Sequence, residues 1–132
     1  MDWLMDTLDS MEHPKCLCHI DANVDNFLFF EDGSVKLLDW EYAGMCDPVM
    51  DVSMCAIYSY YNEEDMERLF RLYLQREPSE DELFALYANA ALGGFLWCLW
   101  AVYKSILGDE FGEYTIIMYR YAKKYYRKLR KL

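Results

Sequence analysis

Acidic residues are missing from the end of this chain, and basic ones are scarce before it. Seven of the 13 Lys and Arg lie at or after Arg120, where no acid occurs. The first 119 residues therefore carry 6 − 23 = −17 within a net charge of −10. So acidic a body argues against nucleic acid as the main partner and suits a cationic ligand or bound metal ions. There are only five cysteines, Cys16, Cys18, Cys46, Cys55 and Cys98, with no Cys-x-x-Cys pair among them. That count argues against zinc ligation and a disulfide framework, and fits buried or idle thiols in a reducing cytosol. The start, MDWLMDTLDSM, is acidic and has no apolar run, so no signal peptide is expected and the location is read as cytoplasmic. No Asn-x-Ser/Thr site, internal repeat, low-complexity segment or linker occurs.

What is abundant is apolar and aromatic. Hydrophobic residues make up 55% of the chain and aromatics 17%, which excludes intrinsic disorder. That aromatic share exceeds what a core of this size needs, so part of it is expected to face a ligand or partner. No charge falls between Leu83 and Tyr103, a stretch long enough to span a bilayer. It holds Asn89, Gly93 and Gly94, is flanked by Asp81 and Glu82, and carries two tryptophans near its C-terminal end. We read it as a helix buried in an α-rich lobe, with a membrane-associated helical protein as the alternative. The basic tail, YRYAKKYYRKLRKL, reads as a solvated face that favours the negative end of its helix, with loose contact to an anionic membrane as the alternative. The eight methionines read as core filler.

Local signals give the elements. Asp2 to Met11 reads as a short helix stopped by His13-Pro14. Cys16-Leu17-Cys18 is a short strand or loop entry. Phe27–Phe30 and Val35–Leu38 are β-prone runs around Glu31-Asp32-Gly33-Ser34, which predicts a hairpin. Everything beyond reads helical. Asp47-Pro48 opens a helix to about Tyr61, and Asn62 with Glu63, Glu64 and Asp65 opens one to about Arg76. Ser79-Glu80-Asp81-Glu82 is a capping box opening the long apolar helix to about Leu107, ended by Gly108. A last helix is expected from about Glu110 to Arg130. The class is α+β, mostly α-helical, with residues 1–132 forming a single partial domain.

Two segments carry chemistry. HIDANVDN sets His19, Asp21 and Asn26 in the pattern H-x-D-x-x-x-x-N, on a loop entering the first hairpin strand. Asp39-Trp40-Glu41 lies just past the second strand. A short hairpin brings Asp21, Asn26 and Asp39 near one another at its open end. Two carboxylates and an amide oxygen suit Mg²⁺, a hard cation that takes oxygen ligands. A carboxylate close by can orient a hydroxyl for attack on a phosphoryl group, in chemistry that consists mainly of positioning and charge neutralisation. Taken alone, the H-x-D loop is a weak signal, because Asp and Asn also favour ordinary turns.

HIDANVDNFLF followed by LLDWEYAGMCDPVMD resembles the catalytic core of the choline/ethanolamine kinases, within the aminoglycoside-phosphotransferase group of the protein-kinase-like fold. The likeness is close from Cys16 to Asp51 and looser beyond, where GGFLWCLW also resembles a choline-kinase pattern. It implies the C-terminal lobe of that fold. It also implies Asp21 as the catalytic Asp, Asn26 and Asp39 as holders of Mg²⁺ bridging the ATP phosphates, and His19 as a brace for the loop. Asp47 and Asp51 would be architectural or line the substrate side. Glu41 and Tyr42 would lie beside the substrate pocket, and Trp97 and Trp100 would wall the choline site. Ala22 departs from the usual Leu, which loosens loop packing without removing chemistry.

A cation cage can also be argued from chemistry. A quaternary ammonium has no N–H to donate, so aromatic faces must hold it, each contributing roughly 0.5–2 kcal/mol. Trp97 and Trp100 share one helix face. Tyr58, Tyr60 and Tyr61 are further candidates, of which Tyr58 is carried as a substrate contact. The alternative is that this aromatic stripe is core. A kinase of this type also needs a glycine-rich phosphate loop and a strand Lys paired to a helix Glu. No G-x-G-x-x-G occurs, and only Lys15 and Lys36 precede Arg68. The expectation is therefore a choline-kinase-like phosphotransferase lobe whose nucleotide-binding lobe is absent, inactive alone and prone to self-association through bared apolar surface. The alternatives are an inactive choline-binding or interaction module, and a kinase of a related amino alcohol or aminoglycoside.

Overall fold

A computed structural model describes residues 1–11 and 14–131. In chain order its elements are α1 (Asp2–Ser10), β1 (Cys16–Cys18), a 3₁₀ turn (Val24–Asn26), β2 (Phe27–Phe29), β3 (Val35–Leu37), β4 (Gly44–Cys46), α2 (Val49–Tyr58), α3 (Glu63–Leu74), α4 (Glu80–Ile106) and α5 (Tyr114–Leu129). Helix dominates, as expected of a mostly α-helical α+β chain. The chain divides into two compact units, residues 13–77 and residues 1–12 with 78–132. The His13 helix stop lies outside the described residues.

In the unit of residues 13–77, β2 and β3 form the expected antiparallel hairpin, with Phe27 opposite Leu37 and Phe29 opposite Val35. Its turn is built by side chain and backbone together. Asp32 Oδ1 accepts from Ser34 N at 2.9 Å and from Ser34 Oγ at 2.6 Å, and Gly33 supplies the left-handed φ of 81°. Those two bonds also hold the Asp32 carboxyl below its ordinary range. The second sheet was not legible in the sequence. β4 pairs antiparallel with β1, Cys16 opposite Cys46 and Cys18 opposite Gly44, where only helix was expected after the hairpin. Three residues with one glycine carry no strand signal of their own, and the partner strand decides.

The helices of this unit follow their caps. Asp47 Oδ1 accepts from Val49 N at 2.9 Å at the start of α2. α2 ends three residues before the expected Tyr61, because Tyr60 turns left-handed at φ 55°. Asn62 Oδ1 accepts from Asp65 N at 3.0 Å, and three acids occupy the first turn of α3, at the positive end of the helix dipole. Met66 and Phe70, one turn apart, are fully buried.

In the other unit, α4 and α5 pack along each other, and α1 touches α4. Ser79 and Glu82 make the reciprocal capping box, Glu82 N donating to Ser79 Oγ at 3.2 Å and Ser79 N to Glu82 Oε2 at 2.8 Å. Gly108, at φ 102°, follows the helix end as expected. Small residues at Ala85, Ala88, Ala90, Ala91 and Gly94 are buried. At Gly94 a Cβ would stand 2.8 Å from the Met118 carbonyl oxygen, so only glycine lets α5 approach this closely. Tyr87 stacks on Tyr125 at 5.2 Å, and Lys128 Nζ lies 4.0 Å over the Tyr87 ring. α5 begins at Tyr114, later than the expected Glu110. α4 is long and apolar enough to cross a membrane by length and composition, and one side of it is buried in this unit.

Candidate active site

The loop between β1 and the 3₁₀ turn is anchored from a distance. Both carboxylate oxygens of Asp51, on α2, accept from consecutive backbone N–H groups, His19 N at 2.8 Å and Ile20 N at 2.7 Å. Ile20 sits at φ 68°, a left-handed conformation that a β-branched residue rarely adopts. The paired bonds from Asp51 hold it there. His19 is buried, and its Nε2–H donates to the Leu38 carbonyl at 2.6 Å, tying the loop to the end of β3. Its Nδ1 is buried with no hydrogen-bond partner among the described residues. The Trp40 ring packs edge-on to the imidazole at 4.9 Å while its Nε1–H donates to Leu37 O at 2.9 Å. Trp40 was given no role from sequence, although its place directly after Asp39 was the available signal.

Asn26 and Asp21 are in direct contact. Asn26 Nδ2 donates to the Asp21 carbonyl at 3.0 Å and to Asp21 Oδ2 at 3.3 Å. This fixes the carboxamide flip and leaves Oδ1 as the uncommitted acceptor. Asn26 O accepts from Leu38 N at 2.8 Å, so Asp39 is the residue directly after Asn26's cross-strand partner. Asp39 is exposed and sits at φ 60°, a strained backbone state of the kind that clusters at functional sites. Glu41 and Tyr42 follow on an exposed turn closed by Ala43 N to Trp40 O at 3.0 Å.

This donor set fits Mg²⁺ and fits a self-sufficient cage poorly. Among the described residues, no group of three or more His, Cys, Asp or Glu gathers to hold a metal. Mg²⁺ is ordinarily held by one or two carboxylates, with phosphates and water completing its shell. Asp39 and the free Oδ1 of Asn26 match that pattern.

The aromatic candidates divide between the units. Tyr58 ends α2, half-buried, in the unit that holds Asp21. Trp97 and Trp100 belong to the other unit, on α4. Trp97 is 7% exposed, so it is closer to core than to an open wall, while Trp100 is half-buried. The two rings meet edge-on at 5.5 Å. Phe111 meets Trp100 at 5.2 Å, and Tyr114 lies 6.2 Å from Phe111. The sequence reading missed these two rings, because they stand beyond the Gly108 break with no periodic link to α4. A cation already faces this group: Lys104 Nζ is 5.8 Å over Trp100 and 3.0 Å from Asp109 Oδ2.

Residues 1–85 match the phosphotransferase enzyme family. The chain belongs to that family. Among curated relatives, Protein LicA of Haemophilus influenzae is 27% identical over 105 residues, covering 75% of this chain and 39% of the relative. Ethanolamine kinase 1 of Mus musculus is 26% identical, covering 93% of this chain and 42% of the relative. The crystal structure of choline kinase LicA from Streptococcus pneumoniae aligns at a TM-score of 0.76 with 26% identity, over 99% of this chain and 45% of that one. A LicA structure in complex with AMP aligns at 0.80 with 28% identity, over 97% and 44%. The chain thus spans less than half the length of these relatives, and it has the fold of choline and ethanolamine kinases over nearly all of its own length.

Proposed function

We propose that the chain is the substrate-side lobe of a choline-kinase-like enzyme. Completed by a nucleotide-binding lobe, it transfers a phosphoryl group from MgATP to the hydroxyl of choline. The observation that carries this reading is the Asn26–Asp21 contact, with Asp39 one residue past Asn26's cross-strand partner Leu38, on a loop clamped by Asp51, in a chain of the phosphotransferase family.

In this reading Asp21 accepts or orients the proton of the substrate hydroxyl and aligns its oxygen with the phosphorus. Asn26 and Asp39 would hold Mg²⁺. The ion, when bound, neutralises charge on the transferring group. His19 keeps the loop in register with the hairpin end. Glu41 and Tyr42 border the amino-alcohol, with Tyr58 of the same unit a further contact. The cytoplasm is the compartment proposed for the reaction.

The test is to join the chain to a nucleotide-binding lobe from a choline kinase and to follow phosphocholine. Activity is expected that falls at least ~10²-fold in Asp21→Ala, the usual contribution of a positioned acid–base group. An Asp21→Ala chain as active as its parent overturns the assignment. Ethanolamine is the competing substrate, given the relatives' names. Its ammonium carries N–H donors that call for carboxylates more than rings, so calorimetry with both amines separates them. Choline binding with no response to ATP or Mg²⁺ would instead mark an inactive binding module.

A further inference from the structure

The two-stranded sheet that leads into the catalytic loop carries three of the five cysteines on one face. Cys16 and Cys18 are two apart on β1, so their side chains share a face, and Cys46 stands directly opposite Cys16 on β4. The sulfurs are close. Cys16 Sγ lies 3.7 Å from Cys18 Sγ, and Cys18 Sγ is 3.4 Å from the Cys46 carbonyl oxygen. All five thiols are free, and Cys16 is exposed. Directly opposed residues of an antiparallel pair have Cα atoms about 4.5–5.5 Å apart, inside the span a disulfide bridges. The diagonal residue Cys18 also reaches the Cys46 side chain, but it is the buried member of β1 and Cys16 the exposed one.

We propose that Cys16 and Cys46 form a reversible thiol-oxidation site, closed to a cross-strand disulfide by hydrogen peroxide. The exposed Cys16 thiolate attacks the peroxide O–O bond. One oxygen stays on sulfur as the sulfenic acid, and the other leaves as water once protonated. The Cys46 sulfur then attacks the sulfenic sulfur, the S–O bond breaks and the S–S bond forms. The Cys46 proton and the departing hydroxide make a second water. Two thiols lose two electrons to one peroxide, and a reduced dithiol reverses the bond by exchange.

The surroundings assign the roles. Burial pushes the Cys18 thiol far above its ordinary range, and burial also raises Cys46, so both stay protonated and neither initiates attack. Cys55 and Cys98 are raised by burial too and have no facing thiol in this sheet. The link would lie at the root of the site. β1 runs directly into His19 and β4 directly into Asp47, so it would fasten together the two segments that Asp51 joins.

The full chain is treated with hydrogen peroxide, alkylated and mapped as non-reduced peptides. Two of the five free thiols should be lost, with one linked species joining Cys16 to Cys46 that dithiothreitol reverses. The link should persist in C18S and C55S and vanish in C46S, where dimedone traps Cys16 as the sulfenic acid instead. Wild-type Cys16 driven to sulfinic acid with no linked peptide overturns the proposal. So does a link through Cys18, Cys55 or Cys98 at comparable yield. The readout is covalent and needs no turnover, so it stands or fails apart from the kinase reading.

Discussion

At the scale of single residues, the most consequential side chain outside the proposed chemistry is Asp51. It satisfies two backbone donors at 2.8 and 2.7 Å and restrains Ile20 in a left-handed state. Hydrogen bonds to a charged acceptor contribute about 1.5–3 kcal/mol each. Asp51→Ala leaves both donors unmet and is expected to lower the unfolding free energy by about 2–5 kcal/mol in urea titrations. Asp51→Asn, which keeps one acceptor oxygen, should lose less. Asp39→Asn makes a different prediction. It removes charge without shape, so in the lobe-completed enzyme the Mg²⁺ concentration for half-maximal rate should rise at least ~10-fold with the fold intact by circular dichroism. A metal requirement unchanged in Asp39→Asn would detach Asp39 from the ion.

At the scale of elements, the sharpest constraint is the α4–α5 contact at Gly94. A methyl there meets the Met118 carbonyl oxygen at 2.8 Å and Ala122 N at 3.0 Å, backbone atoms that cannot rotate away. Gly94→Ala would raise intrinsic helix propensity, yet steric overlap should win, with a loss of about 1–3 kcal/mol and a lower melting temperature by calorimetry. A melting temperature that rises instead would mean that α5 shifts at little cost. The N-terminal end of α4 offers a milder contrast. Ser79→Ala breaks one arm of the capping box and should cost about 0.5–2 kcal/mol.

These elements were largely legible beforehand, since capping and turn residues act over three or four positions. Asn62, Ser79, Gly108 and the Asp32–Gly33 turn each did what their chemistry predicts. The site was legible in part. The H-x-D-x-x-x-x-N spacing and the hairpin were enough to set Asn26 against Asp21 and opposite Leu38, the residue before Asp39. Nothing local announced β4 or marked Phe111 and Tyr114 as neighbours of Trp100, because those contacts join segments whose own patterns are silent about each other.

At the scale of the whole molecule, apolar surface remains bare. Along the C-terminal half of α4, Leu96, Leu99, Val102, Tyr103 and Ile106 are 45–79% exposed and recur at helical spacing along one face. A stripe of this kind favours association in water. Sedimentation velocity should show the weight-average mass rising with concentration, and Leu99→Glu with Ile106→Glu should hold the chain nearer its 15.8 kDa monomer. A wild-type chain that stays monomeric at all concentrations would remove the self-association expected from sequence.

Sequence by itself determined the helix-rich class, the caps, the hairpin and the family likeness, because each rests on neighbours a few residues apart or on a contiguous motif. Only tertiary structure decided that Cys46 faces Cys16, that Asp51 clamps His19 and Ile20 from some thirty residues away, and that Phe111 closes on Trp100. Those pairings are chosen by burial and hydrogen-bond satisfaction over the folded chain. The free energy that selects them exists only once distant segments have met.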